Sequence, residues 1–290
     1  MGLRTKFNLA LLAAFAVAFA VAALVLYRVA VANARAEVLE NARVMMAAAD
    51  AIRTYTARDL SPLLPLMVDG KFVAENVPAY AAQKNFHELQ ESFPGFSYRE
   101  PALNPTNLAN RAQDWEADII NVLRNEPARH ELVVERDTPN GAALFVARPI
   151  TVRDEACLLC HGTVTLAPPA LTRTYGSTNG FGWKLNETIG AQILSVPVDV
   201  ALRRAWESYL TSLMILIGAF AIVFLVLNLV LHFLVLRPVI RVSAVADAVS
   251  LGQEGVETYI KPGKDEISSL SRSFDRMRQS LDHAMAMLKA

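Results

Sequence analysis

Residues 131–161 read ELVVERDTPNGAALFVARPITVRDEACLLCH, and this stretch decides the fold. Leu132-Val133-Val134 and Ala143-Leu144-Phe145-Val146 are two β-rich runs flanking Pro139-Asn140-Gly141. Asn-Gly between such runs is the strongest short-range hairpin signal. The second strand runs on toward Ile150 and Val152. A few residues later stands Cys157-Leu158-Leu159-Cys160-His161, a C-x-x-C-H motif that uses the only two cysteines of the 290 residues. Two thiols and an imidazole at this spacing suit covalent attachment of a c-type haem. Cys157 and Cys160 each form a thioether to a vinyl group, and His161 reaches the iron from the proximal face. A disulfide loop is the alternative in an oxidising compartment. A structural zinc site needs four ligands as a rule, and no other cysteine exists to supply them. A thioredoxin-like dithiol wants a helix N-terminus after a strand, which Gly162-Thr163 does not resemble.

Outward from the motif, Ala167-Pro168-Pro169 and residues 175–180 are loops. Ile189 to Val200, with Ile193, Leu194, Val196 and Val198, is predicted as a closing strand that leads into a helix over Val200 to Tyr209. Upstream, Pro78 opens a predicted helix carrying Tyr80, Ala81, Lys84, His87 and Leu89, ending by Pro94-Gly95. Phe96 to Leu103 is a short strand, Asn104-Pro105-Thr106-Asn107 a turn, and Trp115 to Arg124 a helix with Asp114 as cap. Helices first and an antiparallel sheet later make an α+β domain. Asn186-Glu187-Thr188 matches a glycosylation sequon, read here as chance.

Two apolar runs flank this domain. Leu9 to Tyr27 and Tyr209 to Leu236 carry no Asp, Glu, Lys or Arg, and each has the roughly 20-residue length that spans a bilayer core. The first exceeds the ~7–15 apolar residues of a signal peptide, which favours a retained anchor, although Ala32-Asn33-Ala34 would suit cleavage. Arg4 and Lys6 precede the first span, and Arg237 and Arg241 follow the second. The positive-inside rule then leaves both termini in the cytoplasm and residues 33–207 in the periplasm; Arg28 and Arg35 oppose this without reversing it. The expected layout is residues 1–32 as stub and first span, 33–207 as outer domain, 208–236 as second span and 237–290 as cytoplasmic tail. The first helix continues outward without Gly or Pro as far as Ser61, with Val38, Ala42, Met45, Ala49 and Ile52 on one face. Lys plus Arg equals Asp plus Glu at 28 each, which leaves no electrostatic footprint for nucleic acid.

The far side of the iron is open in the sequence. Met45, Met46, Met67, Tyr80, His87 and His130 are outer-domain candidates; the Met45-Met46 pair reads as packing. Met67, Tyr80 and His87 remain as possible distal ligands, and Tyr80 and His87 share a helical face. Arg148 is a possible partner for a haem propionate, with a solvated strand position as the alternative. Trp183 reads as core or pocket wall. In the tail, Val242, Val245 and Val249 mark one helix, and a Gly-containing polar connector covers 252–264. Ile267, Leu270, Phe274, Met277, Leu281, Ala284 and Leu288 then form a heptad seam. Two short seams on a helix–connector–helix unit suit a parallel dimer that makes a four-helix bundle.

Together these residues resemble a known architecture. The outer segment is similar to bacterial haem c sensor domains with a PAS-like sheet, through Tyr55-Thr56, Asn104-Pro105-Thr106-Asn107, Trp115-Glu116, Arg148-Pro149, Cys157 to Gly162, Tyr175-Gly176 and Gly180-Phe181-Gly182-Trp183. The resemblance covers most of residues 36–200 and implies a single haem with His161 as proximal ligand. Some relatives carry a cysteine as sixth ligand; this chain has no third cysteine to match it. The tail resembles a HAMP domain through Pro238, Asp265-Glu266-Ile267, Leu270, Phe274 and Met277. In relatives, HAMP passes conformational change to a kinase, cyclase or chemotaxis module. The expectation is a homodimeric, two-pass bacterial inner-membrane signal transducer that is not an enzyme. It would sense redox state or a diatomic gas and act on a separate kinase, chemotaxis protein or redox partner. The alternative is a membrane-anchored monohaem cytochrome c for electron transfer.

Overall fold

A computed structural model describes residues 1–65, 67–138, 141–253 and 255–289, without the side chains of residues 285, 286, 288 and 289. In chain order the helices and strands are α1 (Leu3–Tyr55), β1 (Met67–Val68), β2 (Lys71–Phe72), α2 (Pro78–Ser92), β3 (Ser97–Arg99), α3 (Asp114–Asn125), β4 (Leu132–Thr138) and β5 (Gly141–Thr151). They continue with α4 (Ala156–His161), α5 (Pro169–Tyr175), β6 (Thr188–Pro197), α6 (Asp199–Val230), α7 (Arg237–Ser250) and α8 (Glu266–Lys289). The chain divides into two units. Residues 28–208 form one, and residues 1–27 with 209–290 form the other.

In the 28–208 unit, strands order as β3-β6-β5-β4, all antiparallel. The two strands flanking Asn140-Gly141 pair as the sequence predicts, with Thr138 opposite Gly141; Pro139 and Asn140 themselves lie outside the described residues. Register sets the two faces, because side chains alternate along a strand. Val146 opposite Leu194 faces one side, where Val38, Ala42, Met46 and Ala49 of α1 and Ala82 and Phe86 of α2 complete a buried cluster. Ala147 opposite Ile193 faces the other, where Phe145 and Ala191 meet Ile119, Ile120 and Leu123 of α3. Both faces of β5 and β6 are thus covered, which explains the almost uninterrupted burial along β6. The alanines of α1 let its backbone come close to the sheet. The buried row of α1 passes through Met46, which is fully enclosed, whereas Met45 packs at the cluster's edge. This shifts the expected helix face by one residue.

Local chemistry accounts for the ends. Without Gly or Pro, α1 runs unbroken to Tyr55, then widens into a π-helical turn over Thr56–Leu60 before Pro62. Pro78 sits in the first turn of α2, where a missing N–H costs nothing. The cap of α3 is Gln113 rather than Asp114. Its N–H donates to the Glu116 carboxylate at 2.8 Å, and Glu116 is wholly buried beside Arg99.

In the other unit, Phe15 stacks on Phe220 at 5.0 Å and Tyr27 meets Tyr209 edge-on at 5.7 Å. Both long helices are long and apolar enough to cross a membrane. A second π-helical turn, Leu231–Leu236, joins α6 to α7, whose first turn holds Pro238. Asp265 starts α8 by accepting from the Ser268 N–H at 2.7 Å, and with Lys261 beside it its carboxyl is held well below the usual range. Ser268 and Ser271 are fully buried under the connector. Ser271 Oγ accepts from the Lys261 N–H, and Ser268 Oγ donates to the Pro262 carbonyl. Leu270, Met277 and Leu281 of the seam stay 50–61% exposed in the single chain; the side chain of Leu288 lies outside the described residues.

Leu194 is fully enclosed at the centre of the larger cluster. Leu194→Ala is expected to destabilise the 28–208 unit by about 2–5 kcal/mol, measured by urea unfolding followed through Trp115 and Trp183 fluorescence.

Candidate functional site

The C-x-x-C-H residues fall on α4, a helix of six residues joined to the end of β5 by residues 152–155. Val152 exchanges backbone hydrogen bonds with the other edge of the site: its N–H donates to the Glu187 carbonyl at 2.9 Å, and its carbonyl accepts from Asn186 at 2.7 Å. Asp154 Oδ1 then accepts from the Ala156 N–H at 2.8 Å and opens the helix. Leu158 anchors α4 by packing against the cluster of Ala102, Val152 and Ile189, with Trp183 beside it. The opposite side of α4 is open, with Leu159 65% exposed. Cys157 is exposed and Cys160 half-buried, and both are free thiols. Three residues apart on a helix, they are neighbours on its surface. Burial, with Cys157 nearby, pushes the Cys160 thiol up, which keeps it protonated at neutral pH.

His161 is held on three sides. Its ring stacks on Trp183 with centroids 3.9 Å apart and planes 11° from parallel. Nδ1 lies 2.8 Å from the Gly180 carbonyl oxygen and 3.2 Å from Thr106 Oγ1. A carbonyl can only accept, so Nδ1 carries the proton and donates it to Gly180. Nε2 is then left with its lone pair, as a metal ligand needs. Burial lowers the pKa of His161, against the opposing effect of the Gly180 hydrogen bond, so the ring is neutral at neutral pH.

The segment 180–183 is a clasp on the end of α4. The Gly182 N–H donates to Gly162 O at 2.7 Å, and the Trp183 N–H donates to His161 O at 3.1 Å. Gly180 has φ +81°, and a Cβ there would lie 2.0 Å from Thr106 Oγ1 and 2.7 Å from Thr106 N. No residue with a side chain fits. The Gly180 N–H donates in turn to Asn104 Oδ1 at 3.3 Å. The sequence marked 104–107 as a turn and 180–183 as part of a resemblance. It gave no sign that Asn104, Thr106 and Gly180 converge on His161, because contacts across 55 and 19 residues leave no local pattern.

The other candidates lie elsewhere. Arg148 on β5 donates to Glu131 at 3.1 Å and to Asp50 of α1 at 3.4 Å. Burial works to raise the Glu131 carboxyl, but Arg43 and Arg148 together outweigh it and hold that carboxyl below its usual range. Tyr80 and His87 are both on the exposed side of α2, whose buried side is Ala82 and Phe86. Met67 is opposite Phe72 in the β1–β2 hairpin, and Phe72 meets Tyr175 of α5 edge-on at 6.0 Å. Burial raises the pKa of Tyr175, and the Tyr80 phenol and Glu75 add to the shift. Met67 and Tyr80 are thus gathered on the α5 side, while His87 stands two turns further along α2 beside Glu88. Among the described residues, none of the three hydrogen-bonds to or stacks on His161, and no cluster of three or more His, Cys, Asp or Glu side chains could hold a metal ion unaided.

Residues 31–197 match the Tll0287-like family (Tll0287), and residues 230–283 match the HAMP domain. Among solved structures, the chain is similar to the crystal structure of the cyanobacterial heme-protein Tll0287, with 20% identity and a TM-score of 0.43, over 56% of this chain and 95% of that one. Comparison with curated proteins gives no match. Since the first match takes in more than half of the chain, the protein belongs to the Tll0287-like family, and a HAMP domain follows its family domain.

Proposed function

We propose that the chain is a haem-based transmembrane signal transducer. In this reading Cys157 and Cys160 hold one haem c by thioethers, and His161 is its proximal ligand. The observation that carries it is the state of His161, a neutral ring fixed by Trp183 and Gly180 with Nε2 free, next to two free thiols on the same short helix. The donor set fits: the thiols anchor the group, and the clasped imidazole presents one nitrogen. The family takes its name from a protein described as a cyanobacterial heme-protein, which agrees with this reading. A haem held so supplies an iron whose charge changes on reduction and whose open side can take a ligand.

The remaining parts follow from this. The two apolar helices make the chain a two-pass protein of the bacterial inner membrane, with the PAS-like domain in the periplasm and both termini inside. The HAMP domain pairs with that of a second copy as a parallel four-helix bundle; the open seam of Leu270, Met277 and Leu281 supports this. A change at the site is passed to the bundle, which switches between two packings and acts on a separate partner. Redox state or a diatomic gas is the signal. Met67, Tyr80 and His87 are the candidates for the distal side. Arg148 is a propionate partner only if it releases Asp50 or Glu131. A second reading, an anchored monohaem cytochrome c, draws support from the exposure of Cys157 and Leu159, since an electron carrier needs an accessible cofactor edge.

The chain, produced with a haem c attachment system, should keep haem on a denaturing gel. Cys157→Ser/Cys160→Ser should lose it, and His161→Ala should keep it with an altered absorption spectrum. Haem-free wild type would refute the cofactor assignment. In dimers reconstituted into nanodiscs and spin-labelled on α8 at Gln279→Cys, reduction or added CO or NO should change the label-to-label distance. A distance that ignores all three while electrons pass readily to a soluble acceptor would decide for the cytochrome.

A further inference from the structure

The His161 site and α1 are joined by a short, stiff piece of chain. At one end Thr106 Oγ1 touches His161 Nδ1. Six residues earlier Glu100, only 4% exposed, pairs with Arg53 of α1 and accepts the Tyr98 hydroxyl at 2.8 Å. The residues between are tied down one by one. The Pro101 carbonyl accepts from the Ala191 N–H at 3.0 Å, and the Ala102 N–H donates to Asn110 O at 3.0 Å. The Leu103 N–H donates to Ile189 O at 3.2 Å, and Asn104 Oδ1 accepts from Gly180. Pro101 and Pro105 are buried, and each fixes its own φ. Gly190 lets the sheet come close: a Cβ there would lie 2.5 Å from the Pro101 carbonyl oxygen. A displacement of Thr106 has little slack to absorb it before Glu100.

At the far end the contact differs in kind from its neighbours. Asp50, one turn before Arg53, holds Gln192 at 2.7 Å and Arg148 at 3.4 Å, but that pair is 46% and 27% exposed, so water can replace it. Arg53 and Glu100 are 24% and 2% exposed. The Glu100 carboxylate cannot be left alone there, so the pair moves together or breaks outright. The π-helical turn of Thr56–Leu60 begins three residues beyond Arg53. Such turns carry an extra residue and are frequent at functional sites in helices.

We propose that the Arg53–Glu100 ion pair is the contact through which α1 reads the state of the His161 site, with residues 100–106 as the connecting bar. This rests on the function proposed above, and the two can fail separately.

The test uses the full chain in nanodiscs. Thr106→Val removes the hydroxyl beside His161 without changing shape. It should speed amide exchange over residues 46–58 by about fivefold, as the loss of one hydrogen bond's local stability implies. Residues 114–125 of α3 and the Thr106→Ser control should keep wild-type exchange. Wild-type exchange over 46–58 in Thr106→Val overturns the bar. Arg53→Met/Glu100→Gln removes both charges and so leaves neither unpaired, while the side-chain carbonyl at position 100 still accepts the Tyr98 hydroxyl. It should keep the wild-type absorption spectrum and unfolding midpoint, yet lose the reduction-dependent α8 distance change. A folded double variant with the full distance change overturns the contact. If the wild type shows no distance change but Thr106→Val still loosens 46–58, the mechanical link stands and the signalling function falls.

Discussion

The pairing of β5 with β6 is the constraint on which the rest depends. Nine residue pairs in antiparallel register, from Ala143 opposite Pro197 to Thr151 opposite Thr188, place alternate side chains on two faces. One face takes α1 and α2, the other α3. A one-residue slip would turn Val146 and Leu194 toward the wrong layer and bring Arg148 and Gln192 into an apolar one. In the observed register those two polar residues instead meet Asp50 on α1. The same ladder delivers the chain to α4 at one end of β5 and to α6 just beyond β6.

The site is assembled around what β5 and β6 leave at their ends. Val152 and Asn186 close the ladder; the short helix and the clasp follow from there. Its chemistry is decided by a carbonyl. Because Gly180 O can only accept, the imidazole proton is on Nδ1 and the opposite nitrogen is the basic one. The stacking of Trp183 removes rotation about the ring plane, and burial keeps the ring neutral. A backbone carbonyl suits this task better than a carboxylate would, since it orients the ring without drawing a second proton onto it.

The charged side chains of α1 pair along the sheet at unequal depths. Arg35 with Glu135, Arg43 with Glu131 and Asp50 with Arg148 are all exposed or half-exposed. Only Arg53 with Glu100 is deep. Pairs of the first kind contribute little and are easily exchanged for water; a deep pair ties position to charge. The helix is therefore tied by charge near its end, while along its length the buried row of Val38, Ala42, Met46 and Ala49 holds it. In the other unit a comparable division occurs. Ser268 and Ser271 lock α8 to its connector by hydrogen bonds, while Leu270, Met277 and Leu281 of the apolar seam stay exposed.

By itself the sequence determined what is periodic or contiguous. Apolar length identified Leu9–Tyr27 and Tyr209–Leu236, three-four alternation identified the tail helices, period-two runs around Asn140-Gly141 identified the hairpin, and adjacency identified Cys157, Cys160 and His161. Each depends on residues near one another in the chain. Where the local signal was degenerate the reading slipped by one, as with Met46 for Met45 and Gln113 for Asp114. Only the tertiary structure decided which nitrogen of His161 is free, that Arg148 faces Asp50 and Glu131, that Met67 and Tyr80 lie by α5 apart from His87, and that Arg53 meets Glu100. These pairs are separated by 17 to 98 residues in the hydrogen-bonded cases, and no period or spacing records them. They exist because the β5–β6 register and the close approach at Gly180 and Gly190 put distant backbones within reach, where burial makes an unpaired polar group too costly to leave.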